Sequence, residues 1–319
     1  MSALCVALPG IFAHSAGAQL YPAKPVRIIV GFSPGGIADV TVRLVAPKLS
    51  EALGQQVLVE NRPGASGAIA TERVATAPAD GYTLLAPTAA DAVIPVMRAK
   101  LPYNLERDLV AVSLVSVAPF VLVVHPSVPA RNVKELIAMA RAQPGRLSYG
   151  SVGVGTTPHL SAEALKMMAG INILHVPFKG GLDNVIANAS GLVDMVCASI
   201  PSLMPFIGAD KPRLRALAVT SARRTALMPA LPSLHESGVA GYDRSSWVGL
   251  LAPAAVPKDI VIKLNAALVK VVNTPEMKET FTRQGLEAQT TTPEQFAAYI
   301  SAQLDQNAKL IKAIGLKSE

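Results

Sequence analysis

The chain has 319 residues, of which half are apolar and 16% charged, and its mean hydropathy is +0.38. That excludes a disordered or charge-solvated polymer and leaves material for more than one hydrophobic core. Lys and Arg number 29 against 22 Asp and Glu, a net charge of +7, but the densest basic cluster (Arg213, Arg215, Arg223, Arg224) has no interleaved aromatics, so the charge suits small anions better than nucleic acid.

Met1–Ala18 reads as a secretory leader: the apolar stretch Ala3–Ala13 is followed by Ala16-Gly17-Ala18, a small-x-small cleavage pattern, although no Lys or Arg precedes it. Cleavage there leaves Cys197 as the one cysteine, with no intrachain disulfide and no thiolate metal site. Its apolar neighbours, Met195, Val196 and Ala198, make it an inert core thiol. The longest uncharged run, Leu109–Val124, is too short and too polar to span a membrane and reads as two buried strands joined near Pro119.

From there the chain alternates strands and amphipathic helices. Val26–Val30 is a strand, and a glycine-rich turn leads to a helix over Asp39–Leu53 with Val42, Val45, Leu49 and Leu53 on one face and Pro47 expected to kink it. Gln56–Glu60 is a strand, Gly67–Ala77 a helix and Tyr82–Ala86 a strand. The pattern then begins again with strand Phe120–Val124, helix Asn132–Gln143, strand Leu147–Gly150, helix Pro158–Ala169 and strand Ile173–Val176. Helix Leu182–Ala189 and strands Asp194–Cys197, Leu214–Thr220 and Ser246–Ala252 follow, then helices Lys258–Val272 and Pro293–Ile314. This alternation predicts two α/β lobes, 19–118 plus 248–319 and 119–247, joined by two crossing segments near Ala118-Pro119 and Trp247 with a cleft between them.

Two turns stand out because each follows a strand and opens a helix: Phe32-Ser33-Pro34-Gly35-Gly36-Ile37-Ala38-Asp39, and Gly150-Ser151-Val152-Gly153-Val154-Gly155-Thr156-Thr157-Pro158-His159. The first N–H groups of a helix lack intrahelical partners and sit at the positive end of its dipole. Glycines let an anion approach the backbone, and two such termini across a cleft suit a small dianion. Thr157, before Pro158, is expected to cap its helix, and Asp39 to cap the other. Neither turn is a Walker loop or a dinucleotide fingerprint, and no cofactor or metal motif is present. A hydrolase using Ser151 and His159 is the rival reading, although the Gly-x-Ser-x-Gly elbow is missing.

At these residues the sequence resembles the substrate-binding proteins of tripartite tricarboxylate transporters, the Bug or TctC family. The landmarks are Tyr21-Pro22-x-Lys24-Pro25, Phe32-x-Pro34-Gly35-Gly36-x-x-Asp39, Val59-Glu60-Asn61-Arg62-Pro63-Gly64, Asp80-Gly81-Tyr82-Thr83-Leu84, Tyr149-Gly150-Ser151-x-Gly153-x-Gly155-Thr156-x-x-His159-Leu160, His175-Val176-Pro177-Phe178-Lys179-Gly180, Leu217-Ala218-Val219-Thr220 and Trp247-x-Gly249-Leu250-x-Ala252-Pro253. The resemblance implies a monomeric, type II periplasmic binding protein whose two α/β lobes close by a hinge on a small carboxylate. The ligand would be delivered to inner-membrane transporter subunits or reported to a sensor kinase. It also implies ligand contacts from Phe32, Ser33, Gly35, Gly36 and Asp39, from Ser151, Gly155, Thr156 and Thr157, and, at the ligand's far end, from Thr88, Ala89, Asp91, Ala198 and Ser199. Asn188 and Ala198 stand where many relatives carry acids. That disfavours amino-acid ligands and favours a plain di- or tricarboxylate or an aromatic acid.

Overall fold

A computed structural model describes residues 21–98, 100–208 and 212–316; the expected leader, Met1–Ala18, lies outside them. Among the described residues the chain builds two sheets. The first contains β1 (Val26–Val30), β2 (Val57–Asn61), β3 (Thr83–Ala86), β4 (Leu109–Ala118), β10 (Ser246–Pro253) and the short β11 (Glu287–Ala288), in the order β11-β4-β10-β3-β1-β2. The second contains β5 (Phe120–Val124), β6 (Ser148–Ser151), β7 (Leu174–Pro177), β8 (Met195–Ser199) and β9 (Arg215–Val219), in the order β7-β6-β8-β5-β9. Consecutive apolar runs such as Val121–Val124, all fully buried, are what a strand covered by helices on both faces requires.

The helices follow the sequence patterns closely. In α1 (Ile37–Leu53), Val42, Val45, Leu49 and Leu53 face the first core, and the helix runs through Pro47 as one element. The helix α2 (Ala68–Ala75) packs on β3, and α4 (Val133–Ala142) is capped by Asn132, whose side chain accepts from the Glu135 N–H. The helices α5 (Thr157–Ala169), α6 (Gly181–Ala189) and α8 (Lys258–Val272) match the expected spans within two residues. Three helices had no reading in the sequence: α3 (Ile94–Met97), α7 (Ile200–Ile207) and α9 (Pro275–Arg283).

The strand directions decide where the loops go. The strand β3 is parallel to β1, and β10 is antiparallel to both β3 and β4, so β4 ends at the same sheet edge as β1 and β3. One residue after Ala118 the chain enters β5, whose Phe120 pairs with Ser199 at the end of antiparallel β8; β8 in turn is parallel to β6. The crossing therefore links the carboxyl edge of one sheet to the carboxyl edge of the other. The return crossing lies beside it, with Ser246 opposite Ala118. Thr220 stitches the two together. Its hydroxyl accepts from the Phe120 N–H at 2.9 Å, its N–H donates to the Phe120 carbonyl at 2.9 Å, and its own carbonyl accepts from the Arg244 N–H at 2.8 Å.

The last helix, α10 (Pro293–Ala313), is held at its start by a capping box between Thr292 and Gln295. Phe296 and Ile300 pack into a core of the first sheet, whereas Leu310 and Ile311 pack among Leu160, Leu165 and Tyr149 of the second. One helix thus belongs to both cores.

Candidate functional site

The turn after β1 is shaped by Asp39. Its Oδ2 accepts the Gly35 N–H at 2.9 Å, and its Oδ1 accepts from Arg43 Nε at 2.8 Å and Asn61 Nδ2 at 2.9 Å. Burial alone would raise this carboxyl, but the bonds from Gly35, Asn61 and Arg43, with the Arg43 charge, outweigh it and hold the pKa below the usual carboxylate value. The residue preceding the helix proper is Gly36, in extended backbone, and Asp39 reaches back past it. The cap position is thus Gly36 and not Asp39, which sits in the first helical turn and takes the Gly35 N–H instead. Gly35 lies at φ +84°, where a side chain would strain the backbone. Phe32 is half-buried against Gly67 and gives its carbonyl to Asn61 Nδ2. The Ser33 carbonyl receives a long bond from the Gly36 N–H, 3.4 Å.

The loop after β3 is organised by another carboxylate. Asp91 is 2% exposed and accepts from the Thr88 N–H (2.8 Å), the Thr88 hydroxyl (3.0 Å) and the Thr71 hydroxyl (3.2 Å). Burial pushes its pKa up to about 6 against the pull of those three donors. Thr88 is buried as well, and Ala89 joins the first lobe's apolar core. These side chains build the loop from within.

In the turn after β6 the cap falls one residue earlier than expected. Thr156 is extended at φ −73°, ψ 157°, and Thr157 is already helical. The Thr156 hydroxyl donates to the Gly153 carbonyl at 2.7 Å, closing the loop on itself. Gly153 and Gly155 lie at φ +116° and +78°. Pro158 brings no N–H, and among the described residues the Thr157 and His159 N–H groups of the first turn and the Thr157 hydroxyl meet no acceptor or donor in the chain. The two N–H groups point past the start of α5.

Ser151 and His159 do not form a dyad. Ser151 is fully buried, and its hydroxyl pairs with His175 Nε2 at 2.7 Å; His159 Nδ1 instead accepts the Gly155 N–H at 3.2 Å. Ser151 is therefore not presented to His159, and the hydrolase reading loses its Ser151–His159 pair, with the hydroxyl itself fully buried. The two imidazoles lie 4.5 Å apart between ring centres, with Tyr149 stacked on His175 at 4.8 Å. Burial, reinforced by His175 and Lys166 and opposed by Glu163, lowers the His159 pKa to about 4. Sequence spacing did not link His159 to His175, because they meet only when β7 pairs beside β6. Ala198 sits in the core opposite Val121, and Ser199, which precedes α7, shares a hydroxyl bond of 2.9 Å with Ser202.

The loops stand at carboxyl edges that the crossings join, as in open α/β sheets that bind ligands there. The turn after β6 approaches the helix that follows the Thr88–Asp91 loop: a Cβ on Gly155 would lie 3.8 Å from the Met97 methyl. Met97 was not read from the sequence, since its place beside Gly155 depends on how the two sheets meet.

Two α/β sheets joined by paired crossings, with helix-opening loops at the joined edges, define a type II two-lobed binding protein. Residues 41–316 match the family described as tripartite tricarboxylate transporter family receptor, and the chain belongs to that family. It is 34% identical over 320 residues to protein BugT of Bordetella pertussis, covering 98% of each chain. Among solved structures it is similar to R. palustris Rpa4515 with adipate (33% identity, TM-score 0.74, 92% of this chain and 98% of that one). It is also similar to MatC of Rhodopseudomonas palustris with bound malate (26% identity, TM-score 0.69, 91% and 100%). Among the described residues no helix is long and apolar enough to cross a membrane.

Proposed function

We propose that the chain is a periplasmic solute receptor, exported by a cleaved leader at Met1–Ala18, that closes by a hinge on a small carboxylate. It would deliver that ligand to the membrane subunits of a tripartite tricarboxylate transporter. Residues 19–118 with 248–319 form one lobe and 119–247 the other. The carboxylate is held by N–H and hydroxyl donors of the turn after β6, Thr157 foremost, and meets the turn after β1 and the Thr88–Asp91 loop from the other lobe. The similar proteins solved with adipate and malate support a dicarboxylate over an amino acid.

The observation that carries this reading is the strand directionality: both crossings run between the two carboxyl edges at which all four loops stand. Neutral donors to a carboxylate contribute about 1.5–3 kcal/mol each, so a few suffice for micromolar affinity, near 8 kcal/mol, without an arginine whose ion pair would slow release. Calorimetric titration with C4–C8 dicarboxylates is expected to give a micromolar Kd for at least one of them. Thr157→Ala is expected to weaken it about tenfold, the loss of one such donor, with an unchanged unfolding curve. Equal affinity in the variant would remove Thr157 from the site.

A further inference from the structure

The turn after β6 contains two glycines, Gly153 and Gly155, and Val154, at its tip, is exposed. A loop of that composition has many conformations available and loses affinity by having to be ordered when ligand arrives. What restrains it here comes from below. His159 Nδ1 accepts the Gly155 N–H, His175 Nε2 shares a hydrogen with the Ser151 hydroxyl, and that hydroxyl in turn accepts the Gly153 N–H at 3.1 Å. The rings are packed on each other and on Tyr149, whose hydroxyl donates to Glu163 at 2.5 Å; Glu163 also pairs with Lys166 at 2.7 Å. His159 is 4% exposed, so its ring is fixed by packing on the helix that supplies the free N–H groups.

We infer that His159 and His175 are positioning residues that pre-form the carboxylate loop, His159 by fixing the Gly155 amide and His175 by fixing Ser151, without touching the ligand. The inference rests on the receptor reading, since it assigns these rings a part in that same site. Only a neutral His159 can accept at Nδ1, which also fixes its tautomer with the proton on Nε2. The groups facing it are Glu163 and Lys166 on its own helix, His175 on β7 and Tyr149 on β6. Protonation near pH 4 turns Nδ1 into a donor aimed at the Gly155 N–H, and the loop comes free. A histidine whose folded pKa lies below its unfolded value near 6.5 lends stability above that value and loses it as pH falls through the folded one.

The test uses two readouts on the protein from residue 19 onward. The first needs no ligand: the amide proton of Gly155 in nitrogen–proton correlation spectra. It is expected to titrate near pH 4 together with His159 in the parent, to move in His159→Leu at all pH values, and to hold its position without acid titration in His159→Asn, whose Oδ1 replaces Nδ1 as acceptor. The second is the calorimetric Kd for adipate and malate at pH 7. His159→Leu is expected to weaken whichever acid binds by about tenfold, one hydrogen bond's worth of order, while His159→Asn stays within about threefold. His175→Gln, which keeps a group at the Nε2 position, is expected to bind better than His175→Leu. A Gly155 amide indifferent to His159→Leu, or equal affinities for the Leu and Asn variants, overturns the inference. A parent that binds neither acid counts against the receptor reading for those ligands, and the amide readout still decides whether His159 holds the loop.

Discussion

At the scale of single residues the two carboxylates of the first lobe behave oppositely, although both are nearly buried. Asp39 collects a charged partner and stays low; Asp91 has only hydroxyl and amide donors and rises to about 6. A carboxyl raised on folding lends stability that is complete below its unfolded value, near 3.9, and is lost as pH increases through about 6. Asp91→Asn, which keeps the acceptor for Thr88 but does not titrate, is therefore expected to gain on the parent by roughly 2 kcal/mol between pH 4 and 7. Urea unfolding midpoints across that range check it; parallel pH profiles contradict it. Gly155→Ala places a side chain at φ +78°, at a cost of about 1 kcal/mol, with only ordinary contact to Met97. It should lower the unfolding midpoint slightly and weaken acid binding, and unchanged values in both would deny the loop its left-handed turn. The residue-level lesson is that the glycine–threonine pattern was legible while the roles within it were not. Ser151 and Thr156 spend their hydroxyls on the loop itself, and only His175, brought alongside by strand pairing, shows where the Ser151 hydroxyl is engaged.

At the scale of elements, helices with strong periodicity and marked ends were readable, α8 with its bounds as expected and α10 with Thr292, Pro293 and Gln295 marking its start. The missed ones each had a physical reason. The helix α7 is only eight residues long, with prolines at 201 and 205, and α3 is a single turn after a buried loop. The helix α9 did carry a signature, since Thr274 caps it and Pro275 opens it, but its face has only Met277 and Phe281 buried. Pro47 did not stop α1 because packing of Val42, Val45 and Leu49 on the core outweighs one lost hydrogen bond. The seating of α10 depends on Gly249: a Cβ there would lie 2.1 Å from the Phe296 ring and 3.0 Å from the Ser113 carbonyl. Gly249→Ala is expected to destabilise the protein by about 1–3 kcal/mol through overpacking, read from urea unfolding at pH 7. A neutral result would mean that α10 can lift from β10 at no cost. Further along the same helix, Asn307 joins Arg244 (2.6 Å) to the carbonyl of Ala92 (2.9 Å), tying the return crossing to the end of the Thr88–Asp91 loop.

For the molecule as a whole, the alternation of strands and helices foretold two α/β sheets, but the pairing of their carboxyl edges needed the register of β4, β5, β8 and β10. Trp247 marks the return crossing, yet it is fully buried with Phe296 and Tyr299 against its edges. Its emission is therefore expected to be blue-shifted and shielded from iodide with or without acid, and easy quenching would contradict the packing of α10 on β10. Calorimetric titration of the protein from residue 19 onward with adipate and malate at pH 7 decides whether the turn after β6 holds a carboxylate. Saturable binding in the micromolar range, weakened by Thr157→Ala and by His159→Leu but not by His159→Asn, is the predicted result. Heats indistinguishable from dilution for C4–C8 dicarboxylates alike, or binding untouched by any change in the turn after β6, would contradict it.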